Sequence, residues 1–223
     1  MLDAREVLEQ YRGVFVDRDC LFASTNVGVL LTGYVNCEVL FPYFDVMRDI
    51  TAQLIDPFID EVQGFVCAST GDITIIKYAM WLANLAYPKR EFRDVWADKR
   101  SNGTRRIERN GFEDAIQGRR VLVINDRTAS GGTTRDLVAE SRRLDCEVLG
   151  VATIAGATGN TAATWDVPRY HALCDIDVRS FLDTDIPPEY LEWPIACDPP
   201  LGHGHEYQKE HRDFPGGYVT LLT

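Results

Sequence analysis

The residues with the most evident chemistry lie in VLVINDRTASGGTTRDLV (121–138). Four consecutive aliphatic residues, 121–124, read as a buried strand ending at the polar pair Asn125-Asp126. Small residues follow at 129–132, and a helix is expected to begin near Gly132-Thr133. Small side chains let backbone N–H groups come close to a phosphate, and the start of a helix adds the positive end of its dipole. Thr128, Ser130, Thr133 and Thr134 offer hydroxyl donors, and an acid at the strand end suits the vicinal hydroxyls of a ribose. A plain strand-to-helix turn with Thr133 as N-cap would use the same Gly-Gly-Thr. The whole run of aliphatic strand, Asn-Asp, small loop and helix start is more specific and favours phosphate.

The net charge of −11 excludes a general binder of nucleic acid or anionic membrane. It leaves an anionic small-molecule substrate open, because phosphates are caught locally. Basic residues concentrate between Lys89 and Arg120, with Lys99, Arg100, Arg105 and Arg106 in the polar stretch DKRSNGTRRIER (98–109). No apolar run approaches the roughly 20 residues that span a bilayer. The N-terminal MLDAREVLEQYRG carries acids and no apolar core, so an amphipathic helix is expected there, not a secretory signal. The six cysteines show no C-x-x-C pair, and reduced thiols in the cytoplasm are the expectation.

Val46, Ile50, Leu54, Phe58 and Val62 recur every fourth residue, predicting a helix bent near Pro57. GFVCAS (64–69) reads as a buried strand, 73–86 as a helix apolar almost all round, and 92–97 as a strand. Residues 98–109, centred on Gly103, read as a loop or long hairpin. A helix over 133–144 and a buried strand over 147–155 follow. This alternation predicts an α/β fold, a mainly parallel central sheet flanked by helices. Beyond about Pro187, prolines and glycines predict an extended, irregular tail, in which His203, His205 and His211 read as ordinary tail residues. The expected division is an N-terminal helix and hood (1–44), a core (45–186) and the tail (187–223).

The 121–138 segment resembles the 5-phosphoribosyl-1-pyrophosphate (PRPP) motif of type I phosphoribosyltransferases: an aliphatic strand, two acids, then a Thr/Ser-Gly-Gly-Thr loop. Asp126 matches the second acid, Asn125 stands where the first would be, and Ala129, Ser130, Gly131, Gly132 and Thr133 match the phosphate loop. Arg127 and Thr128 stand where aliphatic residues are usual. GFVCASTGD (64–72) resembles the pyrophosphate-binding loop of that family. Within the family, the order of Trp96-Ala97-Asp98-Lys99, a basic loop, Arg109-Asn110-Gly111-Phe112 and VLVIND is most similar to orotate phosphoribosyltransferases. GVATIAGATG (150–159) and VPRYHALCDID (167–177) resemble its later strands, so the likeness runs from about residue 20 to 190. Thr32-Gly33-Tyr34-Val35-Asn36 is the counterpart of the base-holding Ser-Gly-x-His-Ser segment, with Val35 in place of His.

The resemblance implies transfer of the phosphoribosyl group of PRPP to a nitrogenous base, orotate first among candidates, with release of pyrophosphate. It implies Mg²⁺ carried on substrate oxygens, with Asp126 alone as a protein contact. Asn125, Asp126, Thr128 and residues 129–133 would bind PRPP. Ser69, Thr70, Gly71, Asp72, Lys99 and Arg100 would bind pyrophosphate, with Asp126, Lys99 and Arg105 as the catalytic set and Arg106 beside them. It also implies a homodimer in which the basic loop reaches the neighbouring site. The alternative is a non-catalytic PRPP- or nucleotide-binding regulator of the same fold, or transfer to another base. A dinucleotide-binding dehydrogenase is disfavoured, since no G-x-G-x-x-G follows a first strand.

Overall fold

The computed structural model describes residues 2–16, 18–24, 28–69, 71–129 and 131–222. Helix α1 (Ala4–Gln10) is followed by short strands β1 (Val14–Phe15), β2 (Leu21–Ala23), β3 (Val29–Leu31) and β4 (Tyr34–Val35). Helix α2 (Phe44–Ile55), strand β5 (Gly64–Ala68), helix α3 (Asp72–Ala86), strand β6 (Arg93–Lys99), strand β7 (Arg105–Arg106) and helix α4 (Phe112–Ile116) come next. Then follow β8 (Arg120–Thr128), α5 (Gly132–Arg143), β9 (Glu147–Ala157) and β10 (Tyr170–Ile176). The chain ends with β11 (Ser180–Leu182), β12 (Ile195–Ala196), α6 (Gly204–Glu210) and β13 (Tyr218–Val219). No helix among the described residues is long and apolar enough to cross a membrane.

The chain divides into two compact units, one made of residues up to Val7 with Leu40–Asp175, the other of Leu8–Val39 with the chain from Ile176 onward. The first unit holds a six-stranded sheet in the order β10-β9-β8-β5-β6-β7. Strands β5, β6, β8 and β9 are mutually parallel neighbours, and β7 turns back antiparallel on β6. Strands β5 and β8 are aliphatic runs because helices cover both faces of a parallel sheet. Val66, Val95, Val121, Val123, Leu137 and Val151 share one core cluster on one of those faces.

Two boundaries depart from the sequence-based expectation. The α-helix with Ile50 and Leu54 on its buried face stops at Ile55, and Asp56–Phe58 forms a 3₁₀ turn, so Val62 lies beyond the helix. Pro57 has no N–H to donate to the Gln53 carbonyl, and His171 Nε2 lies 3.2 Å from that oxygen in its stead. Strand β8 does not end at Asn125-Asp126; it continues to Thr128, with Arg127 opposite Ala155 and Thr128 opposite Gly156. The eleven-residue β9 supplies ladder partners past the last aliphatic residue of β8, so the end of the aliphatic run did not mark the end of pairing.

The second unit joins strands from the N-terminal segment and from the C-terminal region expected to be irregular. Residues on both sides of the core build one five-stranded sheet in the order β11-β3-β2-β12-β13, beside a β1–β4 ribbon. Prolines sit at the ends of elements, as at Pro188 and Pro199 opening 3₁₀ turns, and leave the short strands between them free to pair. Buried Asp198 accepts the N–H groups of Leu221 and Leu222, both at 2.8 Å, and Tyr207 packs with Leu21, Ala23, Leu30 and Ile195. His211 stacks on Tyr207 at 4.0 Å between centroids, and His203 lies 3.7 Å from Glu206.

Candidate active site

Parallel strands β6, β5 and β8 end at one edge of the sheet, which brings their following loops together, as is usual for ligand sites of open α/β sheets. After β8, only 129–131 separate the strand from α5. Gly131 is the N-cap, with φ 75° and ψ 8°. That left-handed conformation suits glycine, and a Cβ there would lie 2.7 Å from Trp165 Nε1. The Trp165 indole N–H donates to the Gly131 carbonyl at 3.2 Å. Helix geometry leaves the first-turn N–H groups of α5 without intrahelical acceptors, so Gly132, Thr133 and Thr134 present donors where the loop closes.

Asn125 and Asp126 project from opposite faces of β8. Asn125 is 2% exposed, and its Nδ2 donates to the Oγ1 of Thr134 at 3.0 Å. The first position of the acid pair thus joins strand to helix. Asp126 is half-buried; its Oδ1 accepts the N–H of Arg127 at 2.6 Å, and its own N–H donates to Asp72 Oδ1 at 2.6 Å. Asp72, expected among the pyrophosphate ligands, is instead 3% exposed and engaged with the neighbouring loop. Ser69 N–H donates to the Ala97 carbonyl at 3.0 Å, fixing the start of the β5–α3 loop to β6. Thr70 and Ser130, both expected at the site, lie outside the described residues.

The basic stretch is a hairpin, with Asp98 opposite Arg106 and Lys99 opposite Arg105. Its turn closes through Arg100 N–H to the Thr104 carbonyl at 2.8 Å. Several of its charges are committed to the fold. Arg100 pairs with Glu108. Arg109 grips Asp98 with two bonds, of 2.8 and 3.0 Å, and with burial opposing and Ser69 helping, it holds that carboxyl below the ordinary range. Arg106 reaches Glu140 at 2.7 Å, and the same carboxylate accepts Ile107 N–H at 3.0 Å and Arg143 at 2.9 and 3.0 Å. Burial pushes the Glu140 carboxyl up, but Arg143, the Ile107 N–H and Arg106 outweigh it and keep the group below its usual value. Lys99 is exposed at the last pair of the hairpin. Arg105 is half-buried, and its Nη1 is buried without a hydrogen-bond acceptor.

Sequence reasoning missed the residues that hold the β8–α5 junction from behind. Tyr170 OH lies 3.1 Å from Thr128 Oγ1, and Asn160 Nδ2 donates to the Thr128 carbonyl at 3.1 Å. Burial raises the Tyr170 phenol above its usual value. Trp165 and Tyr170 pack with ring centroids 5.0 Å apart. Gly156, inside β9, was the available signal: a Cβ there would lie 2.1 Å from the Tyr170 hydroxyl.

No family model matches the chain, and no curated protein matches it. Solved structures do. A phosphoribosyltransferase from Corynebacterium diphtheriae superposes with a TM-score of 0.56 at 20% identity, over 78% of this chain and 96% of that one. The Mycobacterium tuberculosis orotate phosphoribosyltransferase in complex with PRPP gives 0.53 at 18% identity, over 78% and 89%. The adenine phosphoribosyltransferase of Rhodothermus marinus gives 0.52 at 20% identity, over 78% and 98%. The sheet, its order of strands and helices, and these superpositions together show that the chain has the type I phosphoribosyltransferase fold.

Proposed function

We propose that the chain is a phosphoribosyltransferase that binds PRPP at the β8–α5 loop and transfers its phosphoribosyl group to a nitrogenous base. The observation that carries this reading is the hydrogen bond from Asp126 N–H, near the end of β8, to Asp72 at the start of α3, which supports a ribose acid and a phosphate loop beside a second small-residue loop. A base nitrogen bonds to ribose C1 as the C1–oxygen bond breaks, and the electron pair leaves on pyrophosphate. Asp126 hydrogen-bonds a ribose hydroxyl, and its charge faces the developing ribosyl cation. Ala129, Ser130, Gly131, Gly132, Thr133 and the Thr128 hydroxyl hold the 5′-phosphate. Ser69, Thr70 and Gly71 cradle pyrophosphate, while Lys99, Arg100 and Arg105 offset its charge as it leaves.

Among the described residues no group of three or more His, Cys, Asp or Glu side chains is placed to cage a metal. The lone acid Asp126 at the loop fits Mg²⁺ held chiefly by substrate oxygens. When bound, the ion would neutralise pyrophosphate charge. Orotate is the first base to test. Val35, at the position of the base-holding His, is buried and paired with Val14. Mixing the chain with Mg²⁺, PRPP and single bases should release pyrophosphate with one base, and with orotate its absorbance should fall. Release with another base alone keeps the reaction and rejects orotate. Asn125, bonded to Thr134 where the first acid would stand, favours a second reading: PRPP binding without turnover, shown by saturable PRPP binding with no pyrophosphate from any base.

A further inference from the structure

We propose that Asp72 is a positioning residue that couples the two substrate loops and does not itself bind pyrophosphate; this rests on the phosphoribosyltransferase reading above. A carboxylate pointing at pyrophosphate would repel it, whereas the Asp72 side chain is buried at the first residue of α3 and spends Oδ1 on the backbone N–H of Asp126. At 2.6 Å this is a charge-assisted bond, among the stronger kinds in a protein. It spans 54 positions of sequence and links the β5–α3 loop to the end of β8. On the opposite face of β8 the strand is held by Asn125 to Thr134, so the backbone at 125–126 is fixed from both sides. The Asp126 side chain is tied in turn to Arg127 N–H. Any shift of the β5–α3 loop on binding pyrophosphate is therefore passed to the acid that meets ribose, and by linkage ribose phosphate acts back on pyrophosphate affinity.

Two substitutions separate this role from that of a ligand. Asp72→Asn removes the charge and keeps an acceptor oxygen; Asp72→Ala removes both. In the intact chain, hydrogen exchange at the Asp126 amide should accelerate by at least about 10-fold in D72A and by less in D72N, which keeps an acceptor but loses the charge. The mutual effect of pyrophosphate and ribose 5-phosphate on each other's affinity, measured by calorimetry with Mg²⁺, should persist in D72N and fall to about one in D72A. Equal loss of pyrophosphate affinity in both variants would make Asp72 a ligand and overturn the proposal, as would unaltered Asp126 exchange in D72A. If D72A does not fold, Asp72→Ser, too short to reach Asp126, takes its place in both measurements. If the parent chain binds neither ligand, the enzymatic reading and the coupling fail together, and the exchange measurement alone still decides whether the brace exists.

Discussion

Gly131 concentrates the constraints on the β8–α5 loop in one residue. A side chain there must adopt a positive φ of 75° and must also displace the Trp165 indole. Gly131→Val should cost roughly 2–4 kcal/mol by denaturant unfolding and abolish the thermal shift given by Mg²⁺ and PRPP. Retained binding at parent affinity would place the phosphate elsewhere. That a loop links a strand to a helix at 129–131 was legible, because an aliphatic run followed by a polar pair and small residues announces a strand-end loop. The work of Asn125 was not. Its hydrogen-bond partner, Thr134, lies across a turn whose closure no spacing rule specifies. Nor was the bond of Asp72 legible, because its partner is the backbone of a strand 54 positions away.

At the scale of elements, Glu140 on α5 anchors the base of the 98–109 hairpin through Arg106, Ile107 N–H and Arg143. Its folded carboxyl lies below the usual value, so its contribution is fully present above the unfolded carboxylate range. That contribution is lost as pH falls through the lowered folded value. Glu140→Gln should lower stability at pH 7 by about 1–3 kcal/mol, because the arginines it leaves behind are partly exposed and can be hydrated. The stability difference between parent and variant should shrink as pH falls from 5 to 3 in chemical-unfolding profiles; a constant difference would mean that Glu140 does not titrate with folding. The strand–helix alternation was legible from aliphatic runs bounded by turn residues. The end of β8 was not, since a strand stops where its neighbour stops pairing, and β9 runs on to Ala157. The hairpin could be read only as one of two options, because its polar face carries no hydrophobic alternation to fix a register.

Over the whole molecule, the Pro/Gly-rich C-terminal region concealed a folded unit. Its strands are two or three residues long, below the length at which periodicity becomes visible, and two of them, β11 and β12, pair with β3 and β2 from the other end of the sequence. The parallel core was legible because each βαβ crossover is local. Assembly is the remaining proposal at this scale: a homodimer whose basic hairpin completes the neighbouring site. A chain carrying Asp126→Ala and a chain carrying Lys99→Ala with Arg105→Ala should each be inactive, the second still binding PRPP. Mixed and allowed to exchange, they should recover up to about a quarter of parent turnover, since each mixed dimer keeps one intact composite site. Exchange seen by native mass spectrometry without recovery would exclude a shared site.

The claim on which everything else depends is that PRPP binds where β8 meets α5. Calorimetric titration of PRPP with Mg²⁺ into the parent chain and into Asp126→Ala tests it most directly, with circular dichroism to confirm that both are folded. The parent should show one saturable site per chain, and the variant, lacking a charge-assisted contact to ribose, should bind at least about 10-fold more weakly. Equal affinity in the two proteins, or no binding by the parent, would contradict the assignment.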